Sequence, residues 1–143
     1  MSNIDSVRQK VQRILTKNLN NVRVDKDGNF SVTHESANLF IKVFDAGNEN
    51  IILELTCPMV KDVKLTNELY KWVATEGQSN RFGSSHVVEI KPGYGAIFNE
   101  QCLVANDLDE SELMANVIVL LRSSADLDTE LQGMFGGELF GED

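Results

Sequence analysis

Apolar residues along this chain recur first at helical spacing, then in alternation, and the switch repeats until a final helical run. Ile4, Val7, Val11, Ile14 and Leu15 share one face of a helix, with Asp5, Arg8, Gln12 and Arg13 opposite. This predicts an amphipathic helix over residues 3–18. Val22 and Val24 then alternate toward an Asp27-Gly28 turn, and Phe30 and Val32 alternate away from it. An Asp-Gly pair between alternating runs predicts a hairpin, because glycine accepts positive φ. A second hairpin pairs 39–44 with 51–57 around the polar stretch 45–50. Pro58 lacks a backbone donor and is expected to end that strand.

Thr66 is a good N-cap for a middle helix over about 66–76, with Leu65, Leu69, Trp72 and Val73 as its stripe and Gly77 as its stop. A third hairpin is expected from 85–91 and 96–104 across Pro92-Gly93-Tyr94-Gly95. Asp109 and Glu112 make a capping-box-like start for the last helix. Its core stripe is Leu113, Val117, Leu120 and Leu121, widened by Met114 and Ile118. Leu127, Leu131 and Met134 either continue this helix or form a short second one. Gly133, Gly136 and Gly137 argue against continuation past Met134, and 138–143 is expected to be a flexible tail after a single domain over 1–137.

Strands joined by short turns run antiparallel. The order α-β-β-β-β-α-β-β-α therefore implies an α+β fold, an antiparallel sheet of five to six strands with helices mainly on one face. In such a fold the second face of the sheet should be polar. It is not. Leu39, Ile41 and Val43 take one face of their strand, while Phe40 and Phe44 take the other. The neighbouring strand adds Ile52 to the second face. Val87 and Val88 also point opposite ways. Burying such a side chain is worth roughly 1.5–3 kcal/mol, so several are seldom left wet. The candidates for cover are the chain's own C-terminal segment, a second copy, or a client peptide. Phe40, Phe44 and Ile52 are thus the candidate peptide or dimer interface.

Composition narrows the rest. The 143 residues carry a formal net charge of −9, which disfavours binding to phosphate backbones. Arg8, Lys10, Arg13 and Lys17 gather in the first helix, where a solvated face accounts for them. No nucleic-acid partner is expected. No apolar run is long enough to span a membrane, and residues 1–10 lack a signal-peptide pattern, so a cytoplasmic protein without membrane contact is expected. Cys57 and Cys102 sit in apolar runs with no second ligand at metal spacing, and are expected to be free thiols.

The chemically suggestive sets fail on registration. Were Gly28 the turn glycine of a calcium loop, Arg23 and His34 would stand where carboxylates are needed. Residues 92–95 lack the Lys-Ser/Thr of a phosphate loop. Asn80-Arg81-Phe82-Gly83 reads as a connector. His34-Glu35-Ser36 are consecutive, so their side chains point apart, and His86 opens a strand. Asp107, Asp109, Glu110 and Glu112 complement a helix dipole. No catalytic residue, metal or cofactor is expected. A cleft bringing His34 or His86 beside Cys57 or Cys102 would revive an enzyme reading.

Several segments carry a resemblance to a known group. They are Val24-Asp25-x-Asp27-Gly28-x-Phe30, Thr66-x-Glu68-Leu69-Tyr70-x-Trp72-Val73-Ala74, Arg81-Phe82-Gly83 and Leu108-Asp109-x-x-Glu112-Leu113. The most specific is Ala125-Asp126-Leu127-Asp128-x-Glu130-Leu131-Gln132-x-x-Phe135-Gly136-Gly137. Together they resemble the YbjN-like family, in particular its actinobacterial branch; Gly133 departs from the helix-forming residue expected there. The family is similar in fold to the type III secretion specificity chaperones. The resemblance implies a helix, three-strand, helix, two-strand, helix domain, often dimeric, that binds extended peptides and has no catalytic residues. The chain differs by the extra strand expected at Val22–Val24. Pattern and resemblance together predict a non-enzymatic, chaperone- or adaptor-like homodimer that binds a peptide or protein client. The alternative is a small-ligand sensor with a pocket between sheet and helices near Trp72.

Overall fold

The computed structural model describes residues 3–78 and 83–140. The Arg81-Phe82 pair and residues 141–143 lie outside the described residues. The first helix, α1, spans Asn3–Asn18 and buries Val7, Val11, Ile14 and Leu15, the expected stripe. Strands β1 (Val22–Val24) and β2 (Phe30–His34) form the first hairpin, with Val22 opposite Val32 and Val24 opposite Phe30. Its turn is held by Asp25, whose Oδ1 accepts from the backbone N–H of Asp27 at 2.8 Å and of Asn29 at 3.0 Å. Gly28 supplies φ +80°.

A two-residue turn at Glu35 and Ser36 leads into β3 (Ala37–Asp45), which pairs with β4 (Ile51–Lys64). Helix α2 (Asn67–Thr75) follows, with Thr66 as N-cap accepting from the Leu69 N–H at 3.2 Å. After a short 3-10 turn come β5 (Ser84–Lys91), β6 (Tyr94–Val104) and α3 (Glu110–Phe135). Asp109 caps α3 by accepting from the Glu112 N–H at 2.7 Å. A two-residue strand, β7 (Glu138–Leu139), ends the described chain.

The seven strands form one sheet in the order β1-β2-β3-β4-β6-β5, with β7 beside β4. All pairings are antiparallel. The crossover through α2 carries the chain to the far edge, and β6 returns between β5 and β4. The fold is the expected α+β class in the expected order, with β7 added.

Two boundaries differ from expectation, and the last helix takes the first of its two expected forms. Pro58 does not end β4, which continues for six residues to Lys64. On one flank β3 has already stopped pairing at Thr56, and on the other the register with β6 slips between Pro58 and Val60. A missing donor at a bulge beyond the neighbour's end breaks no regular ladder. The last helix is one unbroken element of 26 residues. Gly133 sits on it with nothing within 4 Å of where a Cβ would lie, so its cost is the intrinsic glycine penalty of ~1 kcal/mol. Met134 is 47% exposed and does not extend the core stripe. Finally, Glu138 and Leu139 do not fray; they pair with Lys61 and Val60.

The core lies between the sheet and the helices in two clusters. One joins α1 and the first half of α3 to Leu39, Ile41, Val43, Leu53, Leu55 and Cys57. The other joins Leu69 and Leu131 to Met59, Val60, Val63, Ile97 and Leu139. A polar belt lies between them. Ser85 Oγ donates to Asn99 Oδ1 at 2.6 Å, and Asn99 Nδ2 donates to Ser124 Oγ at 2.9 Å, all three buried. Ser36 Oγ donates to the buried Asp128 at 2.6 Å, tying the β2–β3 turn to α3.

Candidate functional site

Strand alternation sends one half of each strand inward and the other half to the face that the helices leave open. On β3 the outward positions are Asn38, Phe40, Lys42 and Phe44; on β4 they are Ile52, Glu54, Thr56 and Pro58. Cross-strand register arranges them in rows. Phe44 lies opposite Ile52, and Ile52 opposite Val104, making an apolar row across three strands. The next row is Lys42, Glu54 and Cys102. The third is Phe40, Thr56, Glu100 and Ser84. The fourth is Pro58, Phe98 and His86, where the imidazole stacks on the Phe98 ring at 5.5 Å and its Nε2 lies 2.9 Å from Ser84 Oγ.

Phe40, Phe44 and Ile52 therefore share the open face. Phe40 is 49% exposed, and Phe44 and Ile52 are half-buried by their neighbours. Lys42 Nζ stands 6.0 Å from the centroid of the Phe44 ring. Val104, 61% exposed, and Phe98 and Val88 enlarge the face. The spacing of Phe98 and Val104, six residues apart on one strand, carried that signal. Among the described residues the C-terminal segment does not cover this face, because Leu139 is packed in the inner cluster.

Glu54, Glu100 and Cys102 each place one ligand atom within 4.8 Å of the others on the open face. Two carboxylates and a thiol on a flat, wet surface leave further coordination positions to solvent. The Cys102 thiol is pushed up, first by burial and then by the Glu100 and Glu54 charges. Cys57 is different: burial pushes it up to about 11, Asp128 adds to the shift, and a hydrogen bond with Ser124 opposes it. Both cysteines are free. Near neutral pH a maleimide should therefore label exposed Cys102 and spare Cys57 until the protein unfolds. The folded state holds Cys57 neutral above its ordinary 9.0, so its contribution is intact below pH 9 and lost as pH rises to about 11. Two units correspond to ~2–3 kcal/mol. Urea titrations between pH 9 and 11 should show that decline, and Cys57→Ala should flatten it.

The histidines do not form a catalytic set among the described residues. His34 Nε2 lies 3.9 Å from Glu35 on the surface, and His86 engages Ser84 and Phe98. Trp72 meets Phe135 edge-on at 6.3 Å. A hollow of about 290 Å³ beside it is lined by Glu68, Lys71, Trp72, Thr75, Glu76 and Phe135, between two helices rather than between helices and sheet. A second hollow of about 290 Å³ lies where Asn18 and Leu19 face Val32, His34, Ile118 and Arg122. No described helix is long and apolar enough to cross a membrane.

One antiparallel sheet backed by three helices is an α+β fold of the secretion-chaperone type. The chain belongs to the family described as T3SS (YopN, CesT) and YbjN peptide-binding chaperone 1, whose model matches residues 5–143. In fold it is similar to the type III secretion chaperone SycH of Yersinia pestis, solved in complex with a stable fragment of YscM2. The TM-score is 0.55 at 14% identity, over 85% of this chain and 98% of that one. No curated protein sequence matches. The protein is thus a peptide-binding, chaperone-like module by family.

Proposed function

We propose that this protein is a non-enzymatic chaperone or adaptor that holds extended segments of a protein client by burying their apolar side chains on the open sheet face. Phe40, Phe44 and Ile52 are the contact residues. The observation that carries the reading is the outward-facing apolar row from Phe44 through Ile52 to Val104, with Phe40 beside it, on a face that no described helix covers. The family description and the YscM2 fragment bound to SycH support a peptide as the occupant. The same face suits self-association, so a cytoplasmic homodimer that exchanges its own contact for a client is part of the proposal.

The test is Phe40→Asp with Phe44→Asp, read by sedimentation velocity and by anisotropy of a labelled peptide with alternating apolar residues. Loss of both signals with unchanged circular dichroism supports the reading; retention of both overturns it. A small-ligand sensor is the alternative, and the hollow beside Trp72 is its candidate site. A saturable thermal shift with a metabolite and none with peptides would favour it.

A further inference from the structure

We propose that the flank of β4 beyond Pro58 is a strand-addition site, and that the chain's own segment 138–140 fills it as a displaceable stand-in for a partner peptide. The inference rests on the peptide-binding reading but uses a different surface from the open face. The partner it fits is an extended segment with a branched aliphatic residue followed by an aromatic one.

The site arises from unequal strand lengths. β4 has 14 residues, yet β3 pairs only with Ile51 through Thr56. The remaining flank would be a bare edge, which a sheet leaves as a template for another strand. β7 covers it only in part. Leu139 pairs with Val60, Glu138 with Lys61, and the Phe140 N–H donates to the Met59 carbonyl at 3.3 Å. Beyond a bulge at Asp62, Val63 and Lys64 pair with β6 alone.

Side chains give the edge its selectivity. Leu139 is 6% exposed and packs with Met59, Val60, Val63 and Leu131. Lys61 Nζ stands 5.7 Å from the centre of the Phe140 ring. An aliphatic anchor in a pocket beside an aromatic over a cation, on a main-chain ladder, is how strand addition recognises a peptide.

The stand-in is hinged at Gly136 and Gly137, both at positive φ, 78° and 85°. A Cβ at Gly137 would lie 2.5 Å from the Lys61 carbonyl oxygen and 2.9 Å from Val60 Cγ1. Docking of the segment thus depends on glycine at 137, while the groove itself does not. The tether gives the segment a high effective concentration, but its ladder is short. A partner strand reaching Lys64 makes backbone bonds that β7 does not.

The experiment uses the full chain and a fluorescein-labelled peptide, Gly-Gly-Glu-Leu-Phe-Gly-Glu-Asp, with anisotropy as the readout. Gly137→Ala and Leu139→Asp should each bind it at least tenfold more tightly than the unsubstituted protein, and a peptide with Asp for Leu should not bind. Should Leu139→Asp unfold because its site is buried, Gly137→Ala carries the test, since it removes no core side chain. Equal binding by Gly137→Ala and the unsubstituted protein, or binding by neither, overturns the proposal. So does a changed sedimentation mass in Gly137→Ala, which would mean that the segment is exchanged between copies. Adding Lys61→Glu to the Gly137→Ala chain removes the cation beside the aromatic ring and should weaken binding of the fluorescein-labelled peptide at least fivefold, while binding of the alternating peptide, which reports on the open face, stays as it was. Unchanged binding of the fluorescein-labelled peptide by that variant overturns the β4 site, whether or not the open-face reading holds.

Discussion

Replacing Phe40 and Phe44 together with aspartate is expected to weaken client binding by roughly 10- to 100-fold while the protein stays folded. Phe40 is half exposed and Phe44 less so, so a partner gains at most about half of the ~1.5–3 kcal/mol of full burial from each ring; the two give ~1.5–3 kcal/mol, or one to two decades in affinity. The new carboxylates add a desolvation cost under any apolar partner. Stability should change little by comparison. Phe40 is half exposed already. Aspartate is a poor strand residue, at a cost of up to ~1 kcal/mol each. Lys42 lies between the two positions on the same face and offsets part of that cost by pairing with either carboxylate. The control is Leu53→Asp. Leu53 is fully buried on the opposite face of the adjoining strand, and a charge there has no partner, so that variant should not fold. Circular dichroism separates the two cases, and anisotropy with the alternating peptide measures the loss. Binding within threefold of the unsubstituted protein would remove Phe40 and Phe44 from the contact surface.

How far the sequence discloses this molecule depends on the range of the interaction concerned. α1 has the bounds that its apolar spacing predicts, and the caps at Thr66 and Asp109 fall where their side chains suggest. These are local effects within one or two turns. The open face was legible for the same reason, because alternation alone puts Phe40 and Phe44 opposite Leu39, Ile41 and Val43. What the sequence hides is set by partners distant along the chain. Pro58 looks like a strand end until the early end of β3 and the shifted register with β6 are seen together. The turn at Glu35 and Ser36 has no glycine; Glu35 takes φ 53° where the hairpin requires it. Leu139 reads as part of a polar tail, and its pocket is assembled from β4 and α3. Ser124 and Asp128 look like solvent-side residues of α3, yet both are buried, because Asn99 and Ser36 arrive from elsewhere.

That polar belt carries the second large effect. Asn99→Leu is expected to destabilise the fold by ~2–5 kcal/mol, although leucine matches asparagine in side-chain heavy-atom count and branching and is more apolar. Asn99 accepts from Ser85 and donates to Ser124, and all three are fully buried. Leucine would leave two hydroxyls without that partner, and a buried unsatisfied group costs ~1–3 kcal/mol. Urea unfolding should show the loss as a lower midpoint at unchanged slope. The decisive comparison is the triple variant Ser85→Ala, Asn99→Leu, Ser124→Ala. With no polar group left to satisfy, it should recover most of the lost stability, so the substitutions will be strongly non-additive. A triple variant as unstable as the sum of its parts would mean that packing, not hydrogen bonding, sets the cost. The belt also bears on function. Asn99 lies on β6 between Phe98 and Glu100, whose side chains point to the open face. Fixing Asn99 to α3 through Ser124 therefore fixes which residues of β6 face outward. A slip of one residue would turn Phe98 and Val104 inward and erase the apolar rows. Asn99→Leu should thus weaken peptide binding as well as stability, whereas the triple variant tests whether packing alone can hold the register once the polar groups are gone.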